Sequence, residues 1–331
     1  MRNTNRRLIL SRKDARYPTA ETQPFRLLRR LPIILVSALL IASLGAQLGA
    51  LHWFGDFLAM VADYYVLIAI CLLAWFGMRR QWRWALLAGG LMLFNGWYVL
   101  DYARATAQPD AGGQEVRLLV YNIYHQNPDP AQIVAEVQHH NPDIVFLMEY
   151  SDAIQQQIEG AFSDYPYRLI RPSRMTMGLA LFSRYPFEAT TIHRAEATRI
   201  PVFEVDIRLN NRIVSFVGGH PWPPQPRWGA LHRSQVAAIS TVAEQAGRPL
   251  IVAGDFNAAP WTHSMRGLAE RSQVRHIRGP LDLTKTWLIA PPFGLPLDHV
   301  LISDEWQVQA YTYGNPSGSD HLPLVIDMRV P

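Results

Sequence analysis

The sequence predicts a four-layer α/β (α+β) sandwich, two packed mixed β-sheets flanked by helices, preceded by an N-terminal block of transmembrane helices. Three observations predict it. Long apolar runs are confined to residues 32–102. From residue 115 onward, short apolar stretches rich in β-branched residues mix with two or three segments of helical spacing, the pattern of helices packed on sheets. Asn, Glu, Asp and His residues recur at the ends of those stretches, where sheet-based enzymes place their chemistry.

Residues 1–31 form a basic, cytoplasmic N-terminus, with Arg2, Arg6, Arg7, Arg12, Lys13, Arg16, Arg26, Arg29 and Arg30 against Asp14 and Glu21. Three runs follow, over residues 32–51, 57–78 and 84–100. At 1.5 Å rise per residue each is about long enough to cross a hydrocarbon core of roughly 30 Å, the shortest standing nearly upright. None ends in a clean small-residue cleavage site, which excludes a signal peptide. Arg79, Arg80 and Arg83 lie between the second and third runs, whereas the loop between the first two has no Lys or Arg. The positive-inside rule therefore puts the N-terminus and the Arg-rich loop in the cytoplasm, and three crossings deliver the rest to the outer side. The expectation is a multi-pass inner (plasma) membrane protein whose partner is the bilayer and whose catalytic domain is periplasmic or extracytoplasmic. Trp53, Trp82, Trp84, Trp97 and Tyr98 fall near run ends as interfacial anchors. Asp63 and Asn95 are the polar residues inside the runs, expected to join helices or line a small cavity.

Residues 1–104 carry thirteen basic and five acidic residues (+8), and residues 105–331 carry eighteen and twenty-two (−4). The basicity therefore belongs to the lipid-facing N-terminus. The single cysteine, Cys71, lies in the second run. The outer domain has no disulfide partner, and at about 220 residues it is large enough to fold without one.

Residues 103–114, with Pro109 and Gly112-Gly113, read as a linker. The remaining residues, 115–331, form one domain. Residues 116–121 (VRLLVY) read as a buried strand ending at Asn122, and 130–139 have helical spacing through Ile133, Val134 and Val137. Residues 143–148 (DIVFLM) make a second strand with Glu149 at its end. Strands follow at 179–183, 202–209 and 212–217, the last leading to His220, and 228–246 is helical. Residues 249–253 are a buried strand that ends at Gly254-Asp255-Phe256-Asn257. On an extended backbone Asp255 and Asn257 share one side and Phe256 points into the core; the plainer reading is an Asp-x-Asn turn. Residues 296–302 carry Asp298 and His299, and Ser319-Asp320-His321 precedes a last strand at 324–328. Asn122, Glu149, His220, Asp255, Asn257, Asp298, Asp320 and His321 each admit a structural explanation as turn, cap or loop filler. Together at strand ends they make a site.

Asn122, Leu147-Met148-Glu149, Gly254-Asp255-Phe256-Asn257, Leu297-Asp298-His299 and Ser319-Asp320-His321 resemble the successive motifs of the endonuclease/exonuclease/phosphatase superfamily, in order, over about residues 115–330. The 220–224 (HPWPP) and 257–261 (NAAPW) runs are most similar to bacterial members with N-terminal membrane helices. The resemblance implies phosphate-ester hydrolysis at a divalent cation, Mg²⁺ or Mn²⁺. It implies Glu149 as principal metal ligand, supported by Asn122 and Asp320. Asp255 orients or deprotonates the attacking water, Asn257 positions it and contacts a phosphoryl oxygen, and His321, paired with Asp298, stabilises transition-state charge. His220 is a second histidine near the phosphate. The residue types fit a hard ion, and zinc spacings such as His-Glu-x-x-His are absent. His299, one position along an extended backbone, faces away.

The phosphoester substrate is a lipid, a nucleic acid or a small ester. The domain is net negative, with Lys285 its one lysine; Arg266, Arg271, Arg275 and Arg278, in a segment read as a loop, and Arg168, Arg171 and Arg174 are its arginine groups. Each reads first as a solvated face and second as a phosphate-holding cluster. Trp222, Trp228, Trp261 and Trp287 sit near the motifs and can line a lipid-facing rim, stack on a base or fill core; Trp261 is grouped with Asn257 and His220 as a substrate contact. Phosphodiester hydrolysis of membrane phospholipids or other outer-side phosphoesters ranks ahead of a tethered endo- or exonuclease. A non-catalytic sensor of a phosphorylated ligand ranks third, since none of its expected losses among the motif residues is present. The sequence is silent on oligomeric state.

Overall fold

The computed structural model describes residues 23–101, 112–194, 200–278, 282–290 and 292–330. Most of the expected linker and the first 22 residues lie outside these.

Four helices open the described chain: α1 (Gln23–Ala46), α2 (Trp53–Ala59), α3 (Ala62–Met78) and α4 (Trp82–Leu100). One span, Arg30–Ala50, is long and apolar enough to cross a membrane, and α2 with α3 passes as a pair bent by 53°. The second run is therefore a broken helix. α4 has helical length, but Arg83, Asn95 and its tryptophans dilute its apolarity below that of a span. Asn95 Nδ2 donates to Ser43 Oγ of α1 at 2.9 Å, the helix–helix bond expected of it.

The remainder is two six-stranded sheets. The first, in order β13-β14-β1-β2-β4-β3, comprises β1 (Gln114–Asn122), β2 (Ile144–Met148), β3 (Tyr167–Arg171), β4 (Leu179–Ser183), β13 (Gln307–Tyr313) and β14 (Leu324–Val330). The second, in order β5-β6-β7-β8-β12-β9, comprises β5 (Phe187–Arg194), β6 (Pro201–Leu209), β7 (Arg212–Gly219), β8 (Leu250–Asp255), β9 (Arg275–His276) and β12 (Asp298–Ile302). A separate hairpin pairs β10 (Trp287–Ala290) with β11 (Phe293–Leu295). Both sheets are mixed. β1 and β2 are parallel, joined through α5 (Pro130–His140), and β7 and β8 are parallel, joined through α7 (Gly229–Gln245), because a parallel pair needs a crossover long enough to return to the same edge.

The inner faces pack on each other through Val120, Phe146, Phe203, Phe216, Ile251 and Trp306, all almost fully buried. α5 and α6 (Asp152–Ile158) cover the first sheet's outer face, and α7 and α8 (His263–Ser272) cover the second's. This is the expected four-layer sandwich. The segment carrying Arg266 and Arg271, read from sequence as a loop, is α8. The arginines engage protein instead of forming a cluster: Arg271 pairs with Glu244 at 2.8 Å, Arg275 donates to Trp306 O, Arg278 to Thr284 O and Asp298 O, and Arg266 lies over the Tyr98 ring. Arg168 similarly donates to the Phe162 and Tyr165 carbonyls.

Candidate active site

The site lies along one end of the sandwich, where chain direction collects the ends of six strands. β1 closes on Asn122, and β2 leads to Glu149, whose φ of 60° turns the chain sharply. β7 delivers His220. β8 ends at Asp255, whose register partner on antiparallel β12 is Asp298. His321 stands just before β14. Gly254 permits this crowding, since a Cβ there would lie 2.0 Å from Gly219 O.

Asp298 Oδ2 accepts from His321 Nδ1 at 2.8 Å, and His321 Nε2 lies 3.6 Å from Asp255 Oδ2. The same Asp255 oxygen accepts from Asn122 Nδ2 at 3.0 Å and lies 3.3 Å from His220 Nε2. Asn122 Nδ2 is 3.3 Å from Glu149 Oε1. Asn257 Nδ2 donates to Pro221 O at 3.0 Å and lies 3.2 Å from His220 Nε2. Asn257 has φ 50°, and its N–H donates to Asp255 Oδ1 at 2.9 Å. The backbone is therefore an Asx turn rather than an extended strand, and the turn itself brings the two side chains together. Phe256 is buried in the core.

Electrostatics follow from this packing. Burial opposes charge on His321, but the Asp298 and Asp255 carboxylates outweigh it and push the imidazolium's pKa up to about 10. His220 is likewise raised against burial by its hydrogen bond to Asp255. Burial alone would raise Asp255, yet His321 and His220 hold it below the usual carboxylate range. The site therefore sets an ionised carboxylate between two imidazoles, His321 held cationic and His220 shifted in the same direction.

Among the described residues, Asp255, Asp298 and His321 bring one ligand atom each within 4.8 Å of one another, a buried group that could hold a metal ion. A second donor pair faces the cavity, the Glu149 carboxylate and the exposed Asp320 carboxylate, hard oxygen donors suited to Mg²⁺ or Mn²⁺. Asn122, expected from sequence to join them, is fully buried: its oxygen accepts from the Tyr124 N–H at 3.1 Å and its Nδ2 faces the Glu149 carboxylate, so it orients Glu149 rather than offering an oxygen to the cavity. In the buried trio the cationic His321 already lies between both carboxylates, bonded to Asp298 and 3.6 Å from Asp255, so the Glu149 set fits a divalent cation better.

The structure gathers Asn122, Glu149, His220, Asp255, Asn257, Asp298, Asp320 and His321. It does not bring Trp261 to them. That side chain is fully buried, donates from Nε1 to Ala59 O at 2.7 Å and packs in the helical core, so it is no substrate contact. His299 faces away as expected, with Nε2 2.8 Å from Ala258 O. Sequence reasoning missed His125, whose Nδ1 is 2.7 Å and whose N–H is 3.0 Å from Glu149 Oε2. It also missed Thr286, whose hydroxyl accepts from the Leu297 and Asp298 N–H groups. Neither lies at the end of an apolar strand; His125's place three residues after Asn122 was the only local signal.

A cavity of about 450 Å³ opens over this set. Trp222, Trp228 and Trp287 line it, the first two stacked with ring centroids 5.0 Å apart.

A family model described as the Endonuclease/Exonuclease/phosphatase family matches residues 119–321. UPF0294 protein VP2298 of Vibrio parahaemolyticus is 25% identical over 251 residues, covering 70% of this chain and 83% of that protein. The D. rerio TDP2 structure, complexed with a single-strand DNA product, aligns with a TM-score of 0.57 at 14% identity over 66% of this chain and all of that one. An endonuclease/exonuclease/phosphatase family protein from Bacteroides thetaiotaomicron aligns with a TM-score of 0.54 at 16% identity over 67% of this chain and all of that one.

Proposed function

This chain belongs to the endonuclease/exonuclease/phosphatase family, whose members hydrolyse phosphate esters, and from that premise we propose that it is a divalent-metal-dependent phosphodiesterase anchored in the plasma membrane. Its catalytic unit acts on the outer side, on phospholipids or other phosphoesters presented there. The observation that carries the reading is the convergence on one cavity of Glu149, Asp320, Asp255, His220 and His321, with Asn122 Nδ2 bridging Glu149 to Asp255 and Asp298 holding His321 from behind.

Glu149, with Asp320, would hold Mg²⁺ or Mn²⁺, which supplies charge neutralisation and Lewis-acid polarisation of the phosphoryl group when bound, and Asn122 orients the Glu149 carboxylate. Asp255, kept ionised, accepts a hydrogen bond from the attacking water and takes its proton. Asn257 Nδ2 and His220 Nε2 lie 3.2 Å apart beside Asp255, and both residues line the cavity where they orient the phosphoryl oxygens. As the water oxygen bonds to phosphorus, the ester P–O bond breaks and negative charge grows on the phosphoryl oxygens. His321, held cationic and fixed in orientation by Asp298, stabilises that charge.

Orientation is supported by which helix ends meet the catalytic unit. Arg233 Nη2 donates to Ala50 O after α1, Tyr64 Oη at the start of α3 bonds Gly294, and Tyr98 at the end of α4 lies under Arg266. The Arg79–Arg83 loop lies at the other ends of α3 and α4. If the helices cross, the catalytic unit and the basic loop face opposite sides, and the positive-inside rule makes the loop cytoplasmic.

The test is the full-length protein in detergent with Mg²⁺ or Mn²⁺, offered duplex DNA, RNA and phospholipid vesicles, with Asp255→Asn as the blank. Headgroup or phosphate release that disappears in the blank supports the reading. Nucleic-acid cleavage that disappears in the blank makes the protein a tethered nuclease. Tight binding of a phosphomonoester with no turnover would make it a sensor.

A further inference from the structure

The cavity over the catalytic set is not made by the catalytic unit alone. Phe57 and Met60, from the helical unit, line it together with Trp222, Trp228, Leu295 and Leu297. Met60 also forms one buried apolar cluster with Leu295 and Leu297, so the wall is continuous across the two parts of the chain.

The helical wall is fixed relative to the chemistry. Asp56 is buried, and its carboxylate accepts from the His263 and Ser264 N–H groups at 2.7 and 3.2 Å, at the start of α8, where an anion is well placed. Ala59 O accepts from Trp261 Nε1, and Tyr64 Oη both donates to Gly294 O and accepts from Gly294 N. Asp63 forms an ion pair with Lys285. Gly229, opening α7, lets the backbone rest on Trp53, since a Cβ there would lie 2.2 Å from the ring. Bonds therefore flank Phe57 and Met60 on both sides in sequence.

Two further observations define what the wall receives. None of the described lining residues is Lys or Arg, whereas a nucleic-acid track needs cationic side chains along the backbone path. Phe54 stacks on Phe57 at 6.0 Å, both are exposed, and exposed Leu48 and Leu51 precede them at the end of the candidate span. Exposed apolar side chains thus lead from the end of the candidate span to the cavity.

We infer that Phe57 and Met60 are specificity-determining residues, and that they seat an alkyl or acyl chain of an amphiphilic phosphodiester while its phosphate lies over Glu149 and His321. The inference rests on the phosphodiesterase reading and adds the substrate class. The apolar chain lies along Phe57, Met60 and Leu297, its terminus leading toward Phe54 and the bilayer. The helical unit is then half of the substrate site rather than a tether.

The experiment uses the full-length protein in nanodiscs with Mg²⁺ and a series of p-nitrophenyl alkyl phosphates with methyl, butyl and octyl chains, below their aggregation limits. Each methylene removed from water is worth about fourfold in binding, so kcat/KM should climb steeply from methyl to butyl. Phe57→Ser/Met60→Ser should cut the octyl-to-methyl ratio at least tenfold, a ratio that a uniform loss of folded protein leaves unmoved. A flat series in the wild type, with the methyl ester turned over, overturns the inference and leaves the phosphodiesterase reading standing, and it needs no variant to be seen. Metal-independent or absent turnover of every ester overturns both. Faster cleavage of a single-stranded oligonucleotide than of the octyl ester replaces the amphiphile with nucleic acid.

Discussion

Replacing Asp298 by Asn removes one charge from the centre of the site while preserving shape. Asp298 is fully buried, its backbone N–H is held by Thr286, its Oδ2 accepts from His321 Nδ1 at 2.8 Å, and its Oδ1 has no hydrogen-bond partner. Asn keeps an acceptor for Nδ1–H, so the ring stays in place, but the charge that favours the imidazolium is gone and Asp255 at 3.6 Å is left to hold it alone. A charge-assisted hydrogen bond of this kind contributes about 1.5–3 kcal/mol. If that energy serves the transition state, kcat falls roughly 10- to 150-fold with KM little changed. His321 should lose about one to two pH units of its elevation, so the alkaline limb of the rate profile moves toward neutrality. The new amide N–H₂, facing the partnerless Oδ1 position, adds about 1–3 kcal/mol of destabilisation. The assay is hydrolysis of bis(p-nitrophenyl) phosphate with Mg²⁺ from pH 6 to 10, beside a urea melt. An unchanged kcat with an unmoved alkaline limb would refute the reasoning, because His321 would then act without its charge or not at all.

Glu149→Gln should lose at least about a thousandfold in activity and show weakened Mn²⁺ binding by calorimetry; wild-type metal affinity would remove Glu149 from the cation site. His232 and His299 hold the Phe256 and Ala258 carbonyls that flank Asn257, and burial lowers their pKa to about 4 and about 3. Their folded values lie below the ordinary 6.5, so the stability they contribute is present above that pH and drains as pH falls toward 4. Two units below 6.5 the pair costs up to about 5 kcal/mol, read as a falling urea midpoint; a midpoint level from pH 7 to 4.5 would contradict this. A phosphatase reporter fused after Pro331 should be active only on the outer side of the membrane, and a cytoplasmic signal would reverse the orientation. Trp261→Phe should loosen the two units, lowering the melting temperature more than kcat; the opposite pattern would return Trp261 to the site.

The parts of this protein legible in its sequence are those whose signal is local. Buried strands such as 116–121 and 249–253 announce themselves by continuous apolar runs, and helices such as α5 and α7 by their spacing. Edge strands such as β5, largely exposed on both faces, carry no such pattern, and β3, β9 and β13 share their silence. The motif residues could be singled out because chemistry concentrates unusual side chains at strand ends. Their partners could not: His125 and Thr286 become recognisable only once the sheets bring Glu149 and Asp298 to them. The same holds for the polar residues of the helices. Asn95 met a helix as expected, but Asp63 found Lys285, 222 positions away, and Asp56 found the start of α8. Composition and periodicity by themselves determined an apolar helical block, a sandwich of sheets and helices and a set of polar side chains at strand ends, to which the motif resemblance added the phosphoesterase chemistry. Only the tertiary structure decided that the block docks on the sandwich and walls its cavity, that Trp261 is core, and that the Arg266–Arg278 group is no cluster, because contacts between residues far apart in sequence depend on packing geometry that no local pattern encodes.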